Sequence, residues 1–217
     1  NKKVVFMTDT IGIDDMGRMV RSAADKIRAN RDELSKLDSA IGDGDHGMTI
    51  TRAMGIAEKV IEESEKQELK GLLKDVGWGV MGVDGGATGP LLGSFIMGLG
   101  NGIGEQDAID CPTLAAMFEA GLAGVRRQSK AQIGDKTMMD ALLPAVEAVR
   151  QAADGANSIK EALREAAEAA EKGAVSTKEF QARFGRAKNL GDRTIGHQDP
   201  GATSMALIFQ GFFEALP

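Results

Sequence analysis

Apolar positions recur at helical spacing along almost the whole chain. Met16, Val20, Ala23 and Ile27 share one helix face, and Ile50, Met54, Ala57 and Ile61 repeat the same spacing. Leu69, Leu72, Leu73, Val76 and Val80 form a third stripe, and the stretch 91–99 is apolar all round, which predicts a buried helix. Leu114, Phe118, Leu122 and Val125 make a fifth stripe. Met139, Leu142, Val146 and Val149 make a sixth, with Pro144 expected to kink it. Ser158 and Glu161 read as a capping box ahead of Ile159, Leu163, Ala166 and Ala170. A last helix starts near Pro200, with Asp199 as its N-cap, and carries Met205, Ile208, Phe212 and Leu216. No segment alternates convincingly as a strand. The pattern predicts one all-α domain, a bundle or closed ring of about eight antiparallel helices joined by short loops of Gly, Asp or Asn. Residues 1–6 precede Met7, are too short for a signal peptide, and are expected to lie outside a domain spanning 7–217.

Composition narrows the classes. With 217 residues the chain is long enough for a real core. A net charge of −6, no Tyr and one Trp leave neither a basic face nor stacking platforms, which excludes nucleic acid as a partner. The longest uncharged apolar run, 85–104, is half glycine, polar or proline and makes a poor membrane span. The single Cys111 cannot form an internal disulfide; it reads as a buried small residue in a reducing, cytoplasmic setting. The 28 glycines exceed the usual share of roughly 7% and point to close-packed turns or backbone approaching a ligand.

Candidate chemistry gathers in the loops. Asp38, Asp43 and Asp45 crowd into eight residues with Gly42, Gly44 and Gly47 between and after them. Carboxylates this close repel unless a cation intervenes, and oxygen-only ligands select a hard ion such as Mg²⁺ or Ca²⁺. An EF-hand does not fit, because Met54 falls where the bidentate Glu belongs. A dinucleotide fingerprint does not fit either: no strand precedes the glycines, and Asp43 and Asp45 stand where a pyrophosphate would approach. The bland alternative is that one Asp merely caps the following helix.

The loop 84–90 places Gly85, Gly86, Ala87 and Thr88 at a helix start, a ready anion site that close helix packing would explain equally well. The loop 134–140 reads as a capped helix start with Asp135 near its N-terminus and Lys136 solvated. The stretch 185–204 brings Arg186, Lys188 and Arg193 into an otherwise acidic chain, either for phosphate or for surface ion pairs. No P-loop motif and no G-x-S-x-G occurs. His46 and His197 lack an adjacent nucleophile and read as hydrogen-bond partners.

Taken together, four blocks in fixed order resemble the DhaL family: 41–47, 85–90, 134–138 and 196–204. This is the nucleotide-binding subunit or domain of dihydroxyacetone kinases. The resemblance runs from Met7 to the C-terminus and implies a barrel of eight antiparallel helices with the nucleotide at one end. It implies that Asp38, Asp43 and Asp45 hold two Mg²⁺ ions bridging the phosphates of ADP or ATP. It implies nucleotide contacts from His46, Gly47, Met48 and Thr49, from Ala87 and Thr88, from Gly134 and Leu143 on the adenine side, and from Arg186, Asp199, Pro200 and Gly201. Thr49 and Thr51 stand where asparagines are found in some members, and Thr88 stands where serine is found. The implied partners are a DhaK-type subunit holding the ketose and, in the phosphotransferase-system branch, a DhaM-type protein that recharges resident ADP. A second copy of the chain and a transcription regulator are further partners the resemblance allows. The rival readings are a metal-dependent phosphohydrolase and a nucleotide- or metal-binding regulatory module.

Overall fold

The structure, a computed structural model, describes residues 9–104, 106, 108–155 and 157–217. The expectation for residues 1–6 therefore lies outside the described residues. Nine α-helices are present among them: α1 (Ile13–Ala29), α2 (Arg31–Ile41), α3 (His46–Glu63), α4 (Leu69–Met81), α5 (Thr88–Gly102), α6 (Cys111–Gln128), α7 (Met139–Asp154), α8 (Ile159–Ser176) and α9 (Pro200–Glu214). Two 3-10 segments, Thr177–Glu179 and Arg186–Thr194, link α8 to α9, so this connection is longer than the sequence pattern predicted. The only extended pairing among the described residues is the isolated bridge between Ile11 and Ile109.

Eight of the helices form the ring. Going round it, α1 packs on α3, and each later helix packs on the next in chain order until α9 closes back onto α1. Neighbours run antiparallel, as short connections require. The remaining helix, α2, buries only Leu34 and Ile41 and lies across one end of the ring against α3 and α9.

Burial follows the sequence stripes. Met16, Val20, Ala23 and Ile27 of α1 and Leu72, Leu73, Val76 and Val80 of α4 all face inward. Ser158 caps α8 by accepting from the Glu161 amide, but the Glu161 carboxylate turns to Arg164, so only half of the capping box forms. α7 runs unbroken through Pro144, and the Asp140 carbonyl that would have met an N–H there lies against Gly173 of α8. Cys111 is buried, and burial pushes its thiol up. No helix is long and apolar enough to cross a membrane among the described residues.

The centre of the core is aromatic. Phe118 of α6 meets Phe95 of α5 at 6.0 Å and Phe209 and Phe212 of α9 at 5.3 and 6.3 Å between ring centroids. Phe118→Ala removes a fully buried ring at this junction and is expected to cost about 3–5 kcal/mol. Urea unfolding should show a lower midpoint with an unchanged slope; an unchanged midpoint would contradict this account of the core.

Candidate functional site

Antiparallel order sends the N-termini of α3, α5, α7 and α9 to the same end of the ring, under α2. Each contributes wall residues to one cavity of about 370 Å³: His46 from α3, Thr88 from α5, Met139 from α7, and Pro200 and Gly201 from α9. A helix start carries the positive end of its dipole, and four converge here, although at α3 and α9 the Asp38 and Asp199 carboxylates already take first-turn amides. Between them the wall is apolar, built from Ile50, Leu91, Leu92, Met138, Met205 and Ile208. The cavity thus offers an apolar surface for a ring and polar donors for an anion.

Asp38, Asp43 and Asp45 all line this cavity. Each offers a carboxylate oxygen, and those oxygens lie within 4.8 Å of one another. Local hydrogen bonds bring them together. The Gly42 amide donates to the Asp38 carbonyl, ending α2, while the His46 amide donates to Asp38 Oδ2 at 3.1 Å. Asp38 therefore caps α3, although Asp45 occupies the N-cap position and its side chain makes no cap bond. Arg186 pairs with Asp43 and reaches Asp45 Oδ2 at 3.5 Å, and these acids push the guanidinium pKa up. The triad already draws in a cation from the chain itself. Three hard oxygen donors on one cavity wall fit Mg²⁺, which keeps several waters and takes few carboxylates.

His46 links the triad to α9. Its Nε2 lies 3.0 Å from Ser204 Oγ, and Ser204 gives its own proton to the Gly201 carbonyl at 3.0 Å. The serine oxygen thus accepts from Nε2–H, leaving Nδ1 as acceptor toward Thr88 Oγ1 at 3.4 Å. Burial lowers the His46 pKa below 6.5, against the raising influence of Asp38, Asp45 and the Pro200 backbone. The stability tied to this group is complete above the unfolded value of about 6.5 and is lost as pH falls through the lower folded one. Nitrogen-15 NMR of the metal-free chain is expected to show the Nε2–H tautomer and a titration below pH 6.5; a midpoint at or above that value would overturn the assignment.

Asp199 caps α9 as its sequence predicted, accepting from the Ala202 amide at 2.7 Å. Its own amide donates to Thr177 Oγ1 at 2.9 Å. Burial pushes the Asp199 carboxyl up to about 7, the Asp140 and Asp38 charges add to this, and the Ala202 amide and Lys136 oppose it. Lys136 corrects the sequence reading. It is not solvated: it is buried, lines the cavity, and its ammonium donates to the Thr177 and His197 carbonyls. Asp135 does not cap α7, which has no side-chain cap bond; it accepts from the Gln132 amide, while Asp140 in the first turn of α7 accepts from the Gly134 and Thr137 amides of the preceding loop at 2.6 and 2.8 Å.

Of the residues singled out by sequence, Asp38, Asp43, Asp45, His46, Ala87, Thr88, Arg186, Asp199, Pro200 and Gly201 meet at the cavity. The others do not reach its wall. Gly47 packs against α2, and Met48 is exposed. Thr49 is buried behind Gly85, whose φ of +130° and closeness to Thr49 Oγ1 (2.4 Å from a β-carbon built there) require glycine. Gly134 bends above Asp140, and Leu143 packs half-buried on the core. Sequence reading missed Gln128, Ser129, Lys136, Phe184 and Ser204 as wall residues. Phe184 carried a weak signal, a lone large apolar residue beside Gly185 and Arg186.

Residues 40–214 match the model of the DAK2 domain. The chain is 40% identical over 178 residues to the ADP-binding subunit DhaL of the PEP-dependent dihydroxyacetone kinase of Escherichia coli, covering 82% of this chain and 84% of that protein. It is 34% identical to the corresponding subunit of kinase 1 from Listeria innocua, over 91% of this chain and 93% of that one. Among solved structures it resembles the dihydroxyacetone kinase of C. freundii in complex with AMP-PNP and Mg²⁺, with a TM-score of 0.70 and 25% identity. That match covers 100% of this chain and 36% of the longer one. Matched along most of its length by the domain model and by these subunits, the chain belongs to the DAK2-domain family, on its DhaL side.

Proposed function

We propose that the chain is the nucleotide-holding subunit of a dihydroxyacetone-type kinase, keeping ADP through two Mg²⁺ ions and passing a phosphoryl group to a small ketose carried by a separate DhaK-type subunit. The observation that carries this is the meeting of the Asp38–Asp43–Asp45 triad with four helix N-termini around one cavity. Support for ADP comes from the names of the relatives matched over most of their length, which are ADP-binding subunits of PEP- or PTS-dependent kinases. The same names favour recharging by a DhaM-type phosphotransferase-system protein. The names of relatives that are L- and D-erythrulose kinases support a small ketose as acceptor.

The chain's residues divide the work by chemistry. The Thr88 amide at the start of α5 and the Gly201 amide beside Pro200 at the start of α9 supply N–H donors to phosphate oxygens. The apolar wall around Leu91, Met138 and Ile208 takes the base and excludes water. The three carboxylates hold the ions, and Mg²⁺ supplies charge neutralisation for phosphoryl transfer. Bound there, two divalent ions would more than offset the charge of Asp38, Asp43 and Asp45. A neutral His46 beside Thr88 adds hydrogen bonds without adding charge.

Native mass spectrometry of the chain purified in Mg²⁺ buffer tests the reading. A retained mass of ADP with two magnesium ions is the expected result. A chain that binds no nucleotide, before or after ADP or ATP is added, would overturn it. A chain that takes up ATP and releases it reversibly would replace the resident-ADP form by the ATP-dependent one.

A further inference from the structure

Lys136 differs from an ordinary surface lysine in three ways. Its side chain is buried, with the residue 2% exposed, on the cavity wall. Its backbone is left-handed at φ 61°, where a residue with a β-carbon is strained and where strain concentrates at functional sites. Its ammonium donates to two carbonyls far along the chain, those of Thr177 and His197, which lie 41 and 61 residues on. A buried ammonium loses hydration, so its retention requires that these bonds and its acidic neighbours return more than a neutral side chain would.

These bonds converge on the start of α9. His197 lies two residues before the cap Asp199, and Thr177 accepts from Lys136 through its carbonyl and from the Asp199 amide through Oγ1. From the start of the second turn of α9, Ser204 reaches His46, and the His46 amide reaches Asp38. Burial pushes the ammonium pKa down, and the Asp199 and Asp140 charges oppose this.

We propose that Lys136 is a positioning residue: by binding the His197 and Thr177 carbonyls together it sets the first turn of α9, and through Ser204 and His46 the register of the nucleotide wall against the acid triad. This rests on the nucleotide reading of the cavity. It gives the chain a tie between the loop ahead of α7 and the start of α9 that bears on ligand binding without touching the reacting atoms.

Isothermal titration of the full chain with Mg²⁺-ADP, at a temperature where each variant is folded, tests it. Lys136→Met is expected to weaken Mg²⁺-ADP at least tenfold. Mn²⁺ binding at the triad without nucleotide, followed by electron paramagnetic resonance, should change less than twofold. The His46 ring nitrogen signals should shift, because the Ser204 contact relaxes. Thr177→Val cuts the same clamp at the Asp199 amide, and its loss should be less than additive with that of Lys136→Met. Val149→Ala, in the core of α7, serves as a control that lowers stability while leaving affinity and the His46 signals unchanged.

Binding within twofold of wild type in folded Lys136→Met would overturn the proposal, as would an equal loss in Val149→Ala. If Lys136→Met does not fold, normal affinity with unchanged His46 signals in Thr177→Val overturns it. If the wild-type chain binds no Mg²⁺-ADP, the nucleotide reading fails by itself. The His46 signals then still decide, and their constancy in Lys136→Met would sink the clamp.

Discussion

Asn in place of Asp43 or of Asp45 is expected to weaken Mg²⁺-dependent ADP binding at least about 100-fold, since loss even of groups that only support metal ligands costs 10–100-fold. The change is nearly isosteric, so shape is kept and a full negative charge is lost. Both side chains are close to half exposed, and their pairing with Arg186 is a surface contact of small net worth. Stability should therefore move by no more than about 0.5 kcal/mol, and the helical circular-dichroism signal should be unchanged. Calorimetric titration with ADP at fixed Mg²⁺ measures the effect. Wild-type affinity in both variants would show that the phosphates are held without a metal bridge.

The second large effect comes from one added methyl group. A β-carbon on Gly47 would stand 2.0 Å from the Arg31 carbonyl oxygen, 2.4 Å from Ser35 Oγ and 2.9 Å from the Ser35 amide nitrogen. Two of these are backbone atoms of α2, so no rotamer change relieves the clash, and α2 must move away from α3. Leu34 and Ile41 are the buried side chains that hold α2 to the ring, and loosening them costs about 2–3 kcal/mol, in the range of core overpacking. For a chain of this size Gly47→Ala should then lower Tm by about 5–10 °C. Because Asp38 rides on α2, nucleotide affinity should fall as well. A variant that melts with the wild type and binds normally would show that α2 is not set by this contact.

The contrast between α2 and the ring explains what the sequence could show. Each ring helix buries a stripe that repeats over three or more turns, and such a stripe is readable without neighbours. The helix Arg31–Ile41 buries two side chains and is otherwise polar, so no period marks it, yet it carries Asp38. The acid triad was legible because like charges crowded within a few residues need a reason. Lys136 was not, because its burial is created by Thr177 and His197, which are remote in sequence. Family position brings Thr49 and Leu143 near the ligand end, where Thr49 packs behind Gly85 and Leu143 on the core.

Alternating helix direction also splits the connections into two classes. Those at the ligand end, 42–45, 82–87, 129–138 and 177–199, carry Asp43 and Asp45 of the triad, the glycine turn, Lys136 and Arg186. Those at the opposite end, 64–68, 103–110 and 155–158, contribute none of their described residues to the cavity wall. The molecule therefore has one end where its length is fixed by chemistry and one where it is free. New termini, tags or whole inserted domains belong in the second set of connections, where the ring can be opened and rejoined without disturbing what it holds.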